Sequence, residues 1–196
     1  MRVRHPLSLS LLALVLASPV SASMGGGGGG AGPSTPPPPS TVETKTEPSA
    51  REQAEGYYGQ AYEEVARAQK DLADGKDKNA EKRFKRALDW GEKATTLDEK
   101  YYEAWNLVGY AARKTGDYDK AFASYDKCLE IKTDYAPARE YLGEAWLDKG
   151  DPAKAREQLT LLEKFGAKDD AATLRTAIEA YEAAHPDARK DSTSSK

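Results

Sequence analysis

Cysteine is almost absent: Cys128 stands alone in 196 residues. An intramolecular disulfide and a cysteine-based zinc site are thereby excluded. Histidine is nearly as scarce, and His5 and His185 both lie near the chain ends. The clusters that most metal and hydrolase sites need are missing, so no metal, cofactor or catalytic constellation is expected. A strong excess of one charge is lacking too. There are 29 basic and 32 acidic residues, a formal net charge of -3, with both signs interspersed. A nucleic-acid binder would gather Lys and Arg on one surface, so that partner class is not expected. No apolar run reaches the roughly 20 residues that a spanning helix needs. The glycine run from Gly25 to Gly30 is followed by no Gly-Lys-Ser/Thr and preceded by no strand, so it is not a phosphate loop. The acidic pairs Glu63-Glu64 and Asp169-Asp170 lack the apolar setting that would tune a catalytic carboxyl. A non-enzymatic protein is expected.

What is present divides the chain into four parts. Residues 1–22 read as an export signal. Arg2, Arg4 and His5 form a basic start, Leu7 to Ala17 an apolar core, and Val20-Ser21-Ala22 places small residues before a cleavage after Ala22. The mature chain would then have no stable membrane insertion, and a periplasmic location is expected, with secretion as the alternative. Residues 23–50 are low in complexity. The glycine run and Pro36 to Pro39 predict a disordered, partly extended tether that cannot offset its ordering entropy by burial. From 51 to 184, Ala, Leu, Tyr, Lys and Glu dominate and apolar residues recur at the helical spacing of three and four. Residues 185–196 carry no structure signal and are expected to be a disordered tail.

The helical part repeats. A shift of 34 residues carries Gly109 to Gly143, Gly116 to Gly150 and Ala121 to Ala155. A fixed period of this length with two helices per unit indicates stacked helical hairpins. The pattern resembles the tetratricopeptide repeat. Trp105, Val108, Gly109, Ala112, Gly116, Ala121, Tyr125 and Cys128 occupy the family's signature places in residues 102–135. In residues 136–169 the same places hold Arg139, Leu142, Gly143, Trp146, Gly150, Ala155, Leu159 and Leu162. Arg139 departs from the large apolar residue of that place, and both copies lack the terminal proline. A degenerate earlier copy runs over 61–101, with Glu64 as its departure and seven additional residues. Residues 170–184, with Leu174, Ile178 and Tyr181 on one face, form a capping helix. The resemblance implies an all-α, right-handed solenoid of about three hairpins plus that cap.

The resemblance also implies a binding surface on the first helix of each copy. It would comprise Tyr62, Val65, Gln69, Leu72 and Ala73, then Glu103, Asn106, Tyr110, Arg113 and Lys114, then Pro137, Glu140, Glu144, Leu147 and Asp148. The groove would run from apolar to acidic and take a peptide or helix with an apolar anchor and a basic end. Val65 and Gln69 stand where the family's carboxylate-binding members carry Lys and Asn, so chaperone C-terminal tails are not the expected ligand. The expected function is a protein–protein interaction scaffold of the periplasm or cell exterior. The alternative is a structural subunit of a cell-envelope assembly. Partner identity and oligomeric state are open at this point.

Overall fold

The computed structural model describes residues 47–186. The export signal, most of the expected tether and residues 187–196 of the tail lie outside the described residues. Seven helices and no strand are found among those described: α1 Ala50–Ala73, α2 Asp77–Leu97, α3 Tyr102–Thr115, α4 Tyr118–Ile131, α5 Ala136–Asp148, α6 Pro152–Lys164 and α7 Lys168–Ala184. None is long and apolar enough to cross a membrane.

Consecutive helices pair as hairpins, and α1, α3, α5 and α7 also touch one another in succession. Each second helix packs on the first helix of the next unit. The result is an all-α helical repeat. Its core comes in sections, each shared by three helices. Ala61, Val65 and Ala68 meet Phe84 and Ala87 of α2 and Leu107 and Tyr110 of α3. Ala121, Tyr125 and Cys128 of α4 join Ala112 of α3 to Leu142 and Ala145 of α5. Leu162 of α6 and Leu174 and Ile178 of α7 close the far end on Leu147. Tyr125, Leu162 and Leu174 are fully buried, and each of the two leucines contributes roughly 1.5–3 kcal/mol of transfer free energy.

The helix boundaries have local causes. Ser49 and Glu52 form a reciprocal capping box at the start of α1, so the chain is already in this cap at Ser49, inside the segment assigned to the tether. Asp117 and Asp151 accept backbone N–H bonds from Lys120 and Lys154, each 3.1 Å, and so cap α4 and α6. Gly116 ends α3 at φ 85°, a left-handed conformation in which a side chain would be strained. Pro152 sits in the first turn of α6, where a missing N–H costs nothing.

The first hairpin is longer than the others. α1 has 24 residues and α2 has 21, against 14 in each of α3 and α4. α2 continues past Trp90 and Ala94 to Leu97, and α1 starts at Ala50, ahead of Ala61. The two extensions run antiparallel and cover each other. Ala54, Ala94, Tyr101 and Ala104 form a small core there, and the Tyr57 and Trp90 rings stack at 5.6 Å.

Both departures from the repeat pattern are filled by polar bonding. Glu64 Oε2 accepts from Arg86 Nη2 at 2.9 Å and lies within ion-pair reach of Arg83, both on α2. Arg139 is 7% exposed, and its Nε and Nη2 donate to the Thr133 carbonyl at 2.9 and 2.6 Å while Nη1 donates to Gln158 of α6 at 3.0 Å. Where Trp105 fills the place with a ring, the other copies tie the same hairpin with charge or hydrogen bonds.

Candidate functional site

Several of the residues assigned to the binding surface touch one another across α1, α3 and α5. Gln69 of α1 donates to the Tyr110 hydroxyl of α3 at 3.1 Å. The Tyr110 ring lies 5.0 Å from that of Tyr141 of α5 and 6.0 Å, edge on, from Phe84. Lys114 Nζ stands 5.3 Å from the centroid of the same ring. Arg113 reaches to α5, with Nε donating to Asp148 at 2.6 Å and Nη1 pairing with Glu144. Helical spacing puts Glu144 and Asp148 on successive turns, so one guanidinium holds both carboxylates.

Burial sorts these residues further. Tyr62 is 43% exposed, the largest open ring of the set. Val65 and Leu147 are buried in the core clusters and offer no open apolar face. Their spacing put them on the inner helices, yet the close approach of neighbouring helices covers them. Asn106, Tyr110 and Glu140 are also buried. The acidic end differs from a free anionic patch, because Glu144 and Asp148 are bound to Arg113.

The electrostatics follow from this crowding. Burial pushes the Glu140 carboxyl up to about 8, with Glu144, Asp170 and a hydrogen bond to Asp170 adding to it and Arg113 opposing. Burial disfavours charge on Arg113, but Glu144, Tyr125 and Asp148 outweigh it and hold its value above the ordinary one. Lys114 is lowered by burial and then by Arg113.

A second group of side chains gathers at the N-terminal end of α3. Tyr58 of α1, Tyr102 at the start of α3 and Tyr135 at the N-cap of α5 surround Glu103. The Tyr102 and Tyr135 rings are 4.9 Å apart, and Tyr58 lies 6.3 Å from Tyr62 and 5.1 Å from Tyr101. A hydrogen bond to Glu103 raises Tyr102 above its ordinary value. Burial raises Tyr58 and Tyr135, with Glu103 contributing to both. Repeat spacing leaves Tyr58, Tyr102 and Tyr135 out, since they fall outside the groove places. The only hint is the Tyr-Tyr doublets at 57–58 and 101–102.

Among the described residues no group of three His, Cys, Asp or Glu is placed to hold a metal ion. The family model for the tetratricopeptide repeat matches residues 112–178, from the last turn of α3 into α7. No match is found among curated proteins.

Proposed function

Residues 112–178 belong to the tetratricopeptide repeat family, and from that premise we propose that the chain is a protein–protein interaction scaffold working outside the cytoplasm. Repeats of this family bind protein partners. The observation that carries the reading is the band from Gln69 through Tyr110 and Lys114 to Tyr141, in which side chains of three successive inner helices touch. A surface of this kind suits an extended peptide or one face of a helix, because successive helices present side chains at regular intervals along it. Tyr62 supplies the open apolar anchor at one end. Export is supported by the basic start, apolar core and small-residue site of residues 1–22.

The test is site-specific photocrosslinking in the exporting cell. A photoreactive residue at Tyr62 or Lys114 should give protein adducts, while one at exposed Asp126 on α4 should not. Equal adduct yields at all three positions would refute the groove. N-terminal sequencing of the exported protein should begin at Ser23; a chain still beginning at Met1 would refute cleavage.

A further inference from the structure

Glu103 and Asn106 stand three residues apart on α3, so their side chains share one face of that helix. Glu103 Oε2 and Asn106 Oδ1 are both sealed from solvent, and neither of these two atoms has a hydrogen-bond partner, although the Glu103 carboxylate also meets the Tyr102 hydroxyl. Asn106 as a whole is only 9% exposed. Buried acceptor atoms without donors are costly and rare in folded proteins, and two of them one turn apart on the same helix mark a place where a donor is missing. Among the described residues no Lys, Arg or His forms an ion pair with Glu103. The side chains that feel the Glu103 charge are mostly aromatic, Tyr58, Tyr101, Tyr102 and Tyr135, with the buried Cys128 among them and Tyr62 beside Tyr58. Two acceptors, one of them a carboxylate, framed by tyrosine rings ask for a cation with several N–H donors and a flat face.

We propose that Glu103 and Asn106, framed by Tyr58, Tyr62, Tyr102 and Tyr135, form a subsite for an arginine side chain of the bound partner. The proposal rests on the scaffold reading above and names the chemistry of its ligand. A guanidinium suits the site better than an ammonium, because its planar fork can serve both oxygens while its face lies against a ring. The neighbourhood already holds one such contact. Arg51 Cζ lies 3.7 Å from the Tyr101 ring centroid, and Tyr58 packs on that same ring. Arg51 itself is committed to Glu55 and Asp98, at 2.8 and 2.9 Å. The basic residue of a partner is thus assigned to Glu103, not to Glu144 and Asp148, whose charges Arg113 already answers. Since both oxygens are sealed, the cation enters only when a half-exposed ring turns aside, so binding is accompanied by reorientation of a tyrosine.

The probe is N-acetyl-arginine amide, titrated into the full chain and followed by NMR, beside N-acetyl-citrulline amide, which keeps the shape and loses the charge. The arginine compound should shift the signals of Glu103, Asn106 and the tyrosine rings, and the citrulline compound should bind about tenfold or more weakly. Glu103→Gln and Asn106→Leu should each weaken the arginine response by a similar factor. Asn106→Leu should keep or raise Tm, since its Oδ1 has no donor in the folded chain, and Glu103→Gln should change it little, since the amide oxygen can still accept from Tyr102. No shift at these residues, an equal response to citrulline, or an unchanged response in Glu103→Gln would overturn the subsite. A photocrosslink from Tyr62 to the chain's own residues before Glu47 or after Pro186 would also overturn it, by assigning the place to an internal segment. Failure of the arginine titration leaves crosslinking to partners from Lys114 untouched, so loss of the subsite is distinguishable from loss of the groove.

Discussion

Arg113 of α3 is held by Asp148 of α5 at 2.6 Å, with its side chain only 8% exposed. Glu144, one turn earlier on α5, takes the other arm of the guanidinium. The second and third hairpins are therefore locked by a buried charge as well as by apolar packing. Truncating Arg113→Ala leaves Glu144 partly buried without its counter-charge and should cost about 2–4 kcal/mol in urea unfolding. Adding Glu144→Gln to that variant should recover part of the loss. A double variant no more stable than Arg113→Ala would show that the pair is not coupled.

Gly109 supports the same region by having no side chain. A Cβ at this position would lie 2.6 Å from Cε1 of Tyr125, and Tyr125 is fully buried. The ring has nowhere to go, so Gly109→Ala should destabilise by roughly 1–3 kcal/mol from overpacking. Gly56 gives the opposite expectation. It is an exposed residue inside α1, with nothing within 4 Å of the place a methyl group would take. Gly56→Ala should add about 0.5–1 kcal/mol through helix propensity. Thermal unfolding of the two variants side by side checks both signs.

Glu140 makes stability depend on pH. Its carboxyl is raised from 4.5 to about 8 in the folded chain. Below the lower value it is protonated folded or unfolded. Between the two values only the folded state keeps the proton, so stability falls as pH rises through this window. The total loss should be roughly 3–5 kcal/mol, since each tenfold difference in proton affinity between the two states is worth about 1.4 kcal/mol. Glu140→Gln, which stays neutral, should flatten the curve of Tm against pH from about 5 to 8. The lowered carboxyls, Glu52, Asp74, Glu81, Asp98 and Asp134, act in the opposite sense and in more acidic solution. A slope that persists in Glu140→Gln would assign the effect elsewhere.

Cys128 is fully buried, and burial pushes its thiol up to about 12. A neutral, enclosed thiol is a poor nucleophile. An aromatic disulfide reagent at neutral pH should detect almost no thiol in the native chain and one per chain in denaturant. Rapid reaction of the native protein would contradict the packing of α4 on α3 and α5.

Much of this fold was legible in the sequence because packing residues obey a period. Gly109 and Gly143, Ala121 and Ala155, and Gly116 and Gly150 mark close approaches and turns that recur for the same steric reason in each hairpin. The extension of α1 ahead of Ala61 was harder to read. Only Ala54, Tyr57 and Tyr58 of its added turns join a core, while Arg51, Glu52 and Gln53 are exposed. The polar face was legible as a set of positions but not as a set of partners. Nothing in spacing announces that Arg113 consumes Glu144 and Asp148, or that Val65 and Leu147 are covered. Tyr58 and Tyr135 approach Glu103 from different hairpins, a meeting that depends on how far one unit is rotated on the next.

The length of α2 has a consequence for how such an array can grow. It carries seven residues more than α4. At 3.6 residues per turn, seven residues return the chain to within about 20° of its starting direction. The hairpin is thus lengthened while the azimuth at which the chain leaves it for α3 is nearly kept. An insertion of four residues at the same place would displace that azimuth by roughly 40° in the other sense, and one of five by more than about 100°. Hairpin length can change with the phase of the following repeat nearly kept only when the change is close to a whole number of turns, so a graft or deletion of seven residues in α2 should leave the α3 face aimed nearly as it is.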